Sequence, residues 1–178
     1  MGLHNHRDRL CVVQISDGNG DAHLVHFPEP NYDAPNLKKL LNDTLRVKLF
    51  HFARFDVAII KHYLDVAISP IYCTKIASKL SRTYTERHGF KELCKELIAQ
   101  DISKQQQSSN WGAPELSEAQ IGYAAADVLY LHKLREKLNE MLAREGRTDL
   151  AQRAMDVIPL RAELDLAGWP EVDIWAHS

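Results

Sequence analysis

Cysteine is scarce. Three thiols, Cys11, Cys73 and Cys94, are spread over 178 residues. Their odd number and wide spacing exclude a disulfide framework and a Cys-x-x-Cys metal knuckle. Free thiols in a reducing compartment are expected instead. Long apolar runs are missing too: no stretch approaches the ~18 residues of a membrane span. The segment Met1 to Arg9 is polar and His-rich, without the apolar core of a signal peptide. A cytoplasmic chain with no membrane contact is the expectation. Neither sign of charge is in excess, with 22 basic against 24 acidic residues. That argues against a protein that coats duplex nucleic acid, and less against an enzyme that holds a short substrate in one pocket. Repeats and low-complexity tracts are absent as well.

What is present is ordinary globular chemistry, 45% apolar and 26% charged, in a length that suits one domain. Leu10 to Ser16 is a β-rich run. The turn signal Asp17-Gly18-Asn19-Gly20-Asp21 follows, and Ala22 to Phe27 reads as the returning strand of a hairpin. Asn36 to Leu41 has the apolar spacing of a short helix. Val47 to Phe52 reads as a strand and Phe55 to Leu64 as a helix. Ile71 to Cys73 is a brief strand, after which Thr74 is placed to cap a helix carrying Ile76, Ala77 and Leu80. Phe90 to Ala99 is amphipathic, and 101 to 114 forms a polar loop. Ser117 and Gln120 make a capping box, from which a helix is expected to run to about Glu145. A last helix is expected from Asp149 to Ala167. Strands come first and helices last, the order of a mixed α/β domain.

Two carboxylates stand out by context. Asp56 ends the run Phe50-His51-Phe52-Ala53-Arg54-Phe55-Asp56, where a strand gives way to a helix. Alone, an aspartate there is most simply a complement to the helix dipole. Tyr123 and Asp127 are spaced i and i+4, so their side chains share one helix face. The three alanines between them leave room for close approach. Alone, that spacing favours a tyrosine packed on the core with an aspartate at its edge.

Together, the Phe-Asp at a strand–helix junction and the later Tyr-x-x-x-Asp resemble the second and third motifs of the tyrosine subtype of the DEDD 3′–5′ exonucleases, ribonuclease D type. The similarity continues through 10–16, through Cys73-Thr74-Lys75-Ile76-Ala77 and His88-Gly89-Phe90-Lys91-Glu92-Leu93, and through Ser109-Asn110-Trp111, Leu116-Ser117 and 120–131. It covers essentially the whole chain. The compact length and the stretch Lys104-Gln105-Gln106-Gln107-Ser108-Ser109 look closest to the small alphaproteobacterial nano-RNase C type, which degrades very short RNA. One departure is plain. The family's first motif is Asp-x-Glu on the first strand, followed within a few residues by Gly-Leu. This sequence opens Met1-Gly2-Leu3, so the Gly-Leu is present and no Asp-x-Glu precedes it.

The resemblance implies a ribonuclease H-like mixed sheet of order 3-2-1-4-5, surrounded by helices, with its first strand missing here. The whole of 1–178 would be one exonuclease domain, N-terminally truncated relative to the family. It further implies hydrolysis of short single-stranded RNA 3′ ends (DNA remaining open) with two divalent ions, Mg²⁺ or Mn²⁺. Asp56 and Asp127 would be metal ligands, and Tyr123 would orient the attacking water. Leu3 would wedge against the terminal base, and His51, Arg54, Lys104 and Gln107 would contact substrate. Phe52 is expected in the core, and Trp111 as a core anchor ahead of a base-stacker. His4 and His6, near the chain end, are expected to be solvated. Trp169, Ile174 and Trp175 suit an interface or simple docking, and a homo-oligomer is expected. With two of the four carboxylates, the 178-residue chain is expected to be weak or inactive. A catalytically impaired, nucleic-acid-binding remnant is the alternative.

Overall fold

The computed structural model describes residues 8–103 and 105–177. The hairpin forms as its turn signal predicts. β1 (Val12–Ile15) pairs antiparallel with β2 (His23–His26), Val13 opposite Val25. Side chains organise the turn. The Asn19 N–H donates to Asp17 Oδ1 at 3.1 Å, and the Asp21 N–H to Asn19 Oδ1 at 2.8 Å. Gly18 adopts φ 90°, and a Cβ there would come within 2.8 Å of the His132 ring, so the position requires glycine twice over.

After α1 (Pro35–Asn42), β3 (Lys48–Phe50) pairs in parallel with β4 (Ile71–Cys73), with α2 (Ala53–Leu64) as the crossover. Among the described residues β1 pairs only with β2 and β3 only with β4. The two ladders are separate sheets, and no strand among the described residues pairs with both. Val13 and Gln14 of β1 and Leu49 and Phe50 of β3 line two cavities, of about 470 Å³ and about 450 Å³. The two strands do not close on each other.

Helices α3 (Thr74–Ser81), α4 (Phe90–Ile98), α5 (Glu118–Leu129), α6 (Leu131–Arg144), α7 (Thr148–Asp156) and α8 (Ile158–Leu166) complete the chain. α6 buries Leu134, Leu138 and Leu142, one residue per turn, against α3, α4 and β3. α2 buries Val57, Ala58, Ile60 and Leu64 and packs on α8.

Three local expectations are corrected. The helix expected from Ser117 to about Glu145 is two, α5 and α6, meeting at Tyr130 with φ −101°, ψ −5°. No Pro or Gly marks that break, so packing of two different faces decides it. The last helix is also two, and here the sequence does carry the cause. Pro159 lies in the first turn of α8, where its missing N–H is tolerated, and could not have continued α7. Thr74 is not a cap but the first residue of α3, and its hydroxyl donates to the Phe50 carbonyl at 3.2 Å. It ties the end of β3 to the start of α3.

Candidate active site

The site is built where β3 ends. Phe52 leaves the strand with φ 66° and ψ 44°, the left-handed region, and serves as N-cap of α2 without a side-chain cap bond. Such a conformation costs an aromatic residue about 1–3 kcal/mol and persists where the surroundings enforce it. It turns the chain sharply enough that Asp56 falls in the first turn of α2. On the other side, the capping box of α5 forms as read from the sequence. The Gln120 N–H donates to Ser117 Oγ at 3.3 Å, and the Ser117 N–H to Gln120 Oε1 at 3.0 Å. Gln120 Nε2 also donates to the Asn110 carbonyl at 3.1 Å, which fastens the polar loop to the helix. α5 then carries Tyr123 and Asp127.

Asp56, Tyr123 and Asp127 line one cavity, the larger of the two, at about 470 Å³. Burial lifts the Asp56 carboxyl to about 7, and the Asp127 charge adds to the rise. Burial alone lifts Asp127 to about 6. No cation among the described residues offsets either group. Tyr123 is raised above its ordinary value by burial and then by Asp127, which keeps the phenol protonated and leaves it an orienting hydroxyl. Its ring packs on Trp111 with centroids 6.0 Å apart. Cys94, buried behind the site, is pushed up to about 12 by burial and by Asp127, and so is an inert thiol.

His51 and Gln107 also line this cavity. His51 Nδ1 lies 2.9 Å from Thr74 Oγ1. That hydroxyl's proton goes to the Phe50 carbonyl, so the ring donates through Nδ1 and keeps Nε2 as an acceptor. Burial and then the Lys75 charge lower His51 to about 4. It is therefore neutral at pH 7 and cannot meet phosphate as a cation. Arg54 is placed elsewhere. Its Nε donates to Asp165 Oδ2 at 2.6 Å and its NH2 to Asp165 Oδ1 at 2.8 Å, with a further bond to the Pro170 carbonyl. It joins α2 to α8 and the segment beyond, and it does not border the cavity. Leu3 and Lys104 lie outside the described residues. Phe52 is not in the core: its side chain is exposed and borders the cavity, as do Lys75, Phe90 and Lys91. Nothing in the sequence spacing distinguished Phe52 from a core phenylalanine. Its left-handed backbone, set by the tertiary fold, decides where the ring goes.

The donor set fits a divalent cation in part. Two half-buried carboxylates without a counter-charge are the oxygen ligands that a hard ion takes. Among the described residues no group of three or more His, Cys, Asp or Glu gathers in one place.

A family model described as 3′–5′ exonuclease matches residues 1–143. Ribonuclease D of Gluconacetobacter diazotrophicus is 36% identical over 140 residues, 79% of this chain and 35% of that protein, so the chain spans about a third of that relative's length. The solved structure of Brucella melitensis NrnC is 56% identical with a TM-score of 0.96, covering 99% of this chain and 86% of that one. Forms of NrnC with bound Mg²⁺ and bound to pGG match as well. Escherichia coli RNase D, 24% identical with a TM-score of 0.77, over 88% of this chain and 42% of that one, shares the fold.

Proposed function

The chain belongs to the family of 3′–5′ exonucleases, and on that premise we propose that it is an exonuclease domain that hydrolyses short single-stranded RNA from the 3′ end. The observation that carries this reading is the meeting of Asp56, Asp127 and Tyr123 in one cavity, with two carboxylates that burial disfavours as anions and that no side-chain cation offsets. Asp56 and Asp127 would hold the divalent ions, two of Mg²⁺ or Mn²⁺, as the likeness to Mg²⁺-bound NrnC supports. Bound there, the ions supply charge stabilisation for the attacking and leaving oxygens of the phosphodiester. Tyr123 orients a water toward the scissile phosphorus through its hydroxyl. His51 offers Nε2 as an acceptor, which suits a sugar hydroxyl better than a phosphate. Gln107, on the loop tied down by Gln120, offers amide donors to a phosphate oxygen, and Lys104 beside it in sequence would add a cation. Leu3 would act as the wedge at the terminal base.

The likeness to NrnC bound to pGG supports a dinucleotide-sized substrate. No helix among the described residues is long and apolar enough to cross a membrane, and a cytoplasmic site of action fits RNA turnover. Val157, Leu160, Trp169, Ile174 and Trp175 are exposed near the C-terminus, which supports a homo-oligomer. The deciding experiment uses one RNA labelled at either end. Stepwise shortening from the 3′ end that stops with chelator and returns with Mg²⁺ or Mn²⁺ is expected. Binding without cleavage in either metal would overturn the enzyme reading in favour of a binding remnant.

A further inference from the structure

Phe52 is a large apolar side chain that the core does not use. The residue is 43% exposed, it borders the cavity of Asp56, Tyr123 and Asp127, and it is held in a left-handed backbone. Left-handed backbone also occurs at Asp65 and Ala99, where it ends α2 and α4; at Phe52 it instead sets a large aromatic ring beside the cavity. The ring is also propped. Lys75, in the first turn of α3, places Nζ 4.1 Å from the ring centroid. A cation over one face draws π density toward it and leaves the opposite face better matched to an electron-rich ring.

We infer that Phe52 is a nucleobase-stacking platform of this site, with Lys75 as the positioning residue that backs the ring. The inference rests on the RNA reading above and adds a substrate determinant to it. Stacking on an aromatic face needs no particular base-edge pattern, because every base has a π-face. The platform therefore contributes affinity for any base-bearing nucleotide and none for a bare ribose-phosphate chain. It lies four residues before the first helical carboxylate, Asp56, so a base held there brings its own sugar-phosphate toward the reacting end of the cavity.

The test is calorimetric titration with Ca²⁺ in place of the catalytic ions. The probes are a 5′-phosphorylated diribonucleotide and its abasic analogue. Phe52→Leu keeps the apolar bulk and removes the ring; Phe52→Trp keeps a ring. Phe52→Leu is expected to weaken diribonucleotide binding between about 5- and 150-fold, the equivalent of ~1–3 kcal/mol per stacked base. Phe52→Trp should bind as the wild type does, and all three should bind the abasic analogue alike. Lys75→Met should show a smaller loss, confined to the base-bearing probe. If Phe52→Leu melts early, the wild type still decides the matter through its preference for the base-bearing probe over the abasic one. RNA binding that is unchanged in Phe52→Leu, or that is indifferent to the base, overturns the platform and leaves the exonuclease reading standing. Failure of the wild type to bind any RNA overturns both.

Discussion

Asp56 of α2 and Asp127 of α5 line the same cavity, and burial with the Asp127 charge lifts the Asp56 carboxyl to about 7. Two helices have delivered two acids to a place where neither ionises readily. That cost is removed when a divalent ion binds, which couples the metal to the stability of the fold.

The first expected outcome concerns pH without metal. Asp56 and Asp127 titrate near 7 and 6 in the folded chain, against 3.8 ordinarily. Between those values the folded form keeps protons that the unfolded chain has lost, so this contribution to stability is whole below about pH 4 and falls as pH rises toward 7. In chelator, the melting temperature should drop by roughly 5 °C or more between pH 5 and pH 8. The double variant Asp56→Asn, Asp127→Asn should lack that drop. A wild-type profile that is flat, or rises, over this interval contradicts the assignment.

Mg²⁺ should raise the wild-type melting temperature more at pH 8 than at pH 5, because deprotonated carboxylates bind it. Asp127→Asn should abolish that rise and lower RNA hydrolysis at least ~100-fold, since a direct ligand matters no less than the groups that orient ligands. Thermal melts with and without the ion, beside an initial-rate assay, check both.

Tyr123→Phe should lower kcat about 100-fold with little change in KM. The phenol is raised by burial and Asp127, so it acts as a protonated, orienting group and the limb of the pH–rate profile that rises with pH should be the same in both forms. Loss of a rising limb in the variant would make the tyrosine a base after all.

Arg54→Ala should leave KM for RNA unchanged and destabilise the chain by about 1–3 kcal/mol, because Asp165 loses a two-pronged partner. Arg161 still donates to Asp165 at 2.8 Å and keeps the loss from being larger. Denaturant unfolding measures the stability, and a raised KM would return Arg54 to the RNA.

Extending the chain at its N-terminus by a strand that carries Asp-x-Glu should raise the rate on a 3′-labelled dinucleotide. Two aspartates cannot balance two divalent ions, and among the described residues no third acid joins them. Equal rates with Mn²⁺ for both forms would show that such a strand adds nothing to catalysis.

The sequence by itself determined the elements whose causes are local. The Asp-Gly-Asn-Gly-Asp turn, the Ser117–Gln120 capping box and the i, i+4 pair Tyr123–Asp127 each depend on residues within a few positions of one another. The break at Tyr130 and the role of Thr74 inside α3 were not legible, because they come from packing between elements far apart in the chain. The same holds for three side chains. The partner that holds Arg54, Asp165, lies on the far helix α8. His51 reads as a cation until burial and the Lys75 charge make it neutral. Phe52 reads as a core residue until its backbone turns left-handed and sets the ring beside the cavity. Residue type and spacing decide what a side chain can do. Burial, neighbouring charge and backbone direction decide what it does, and those exist only once distant segments meet.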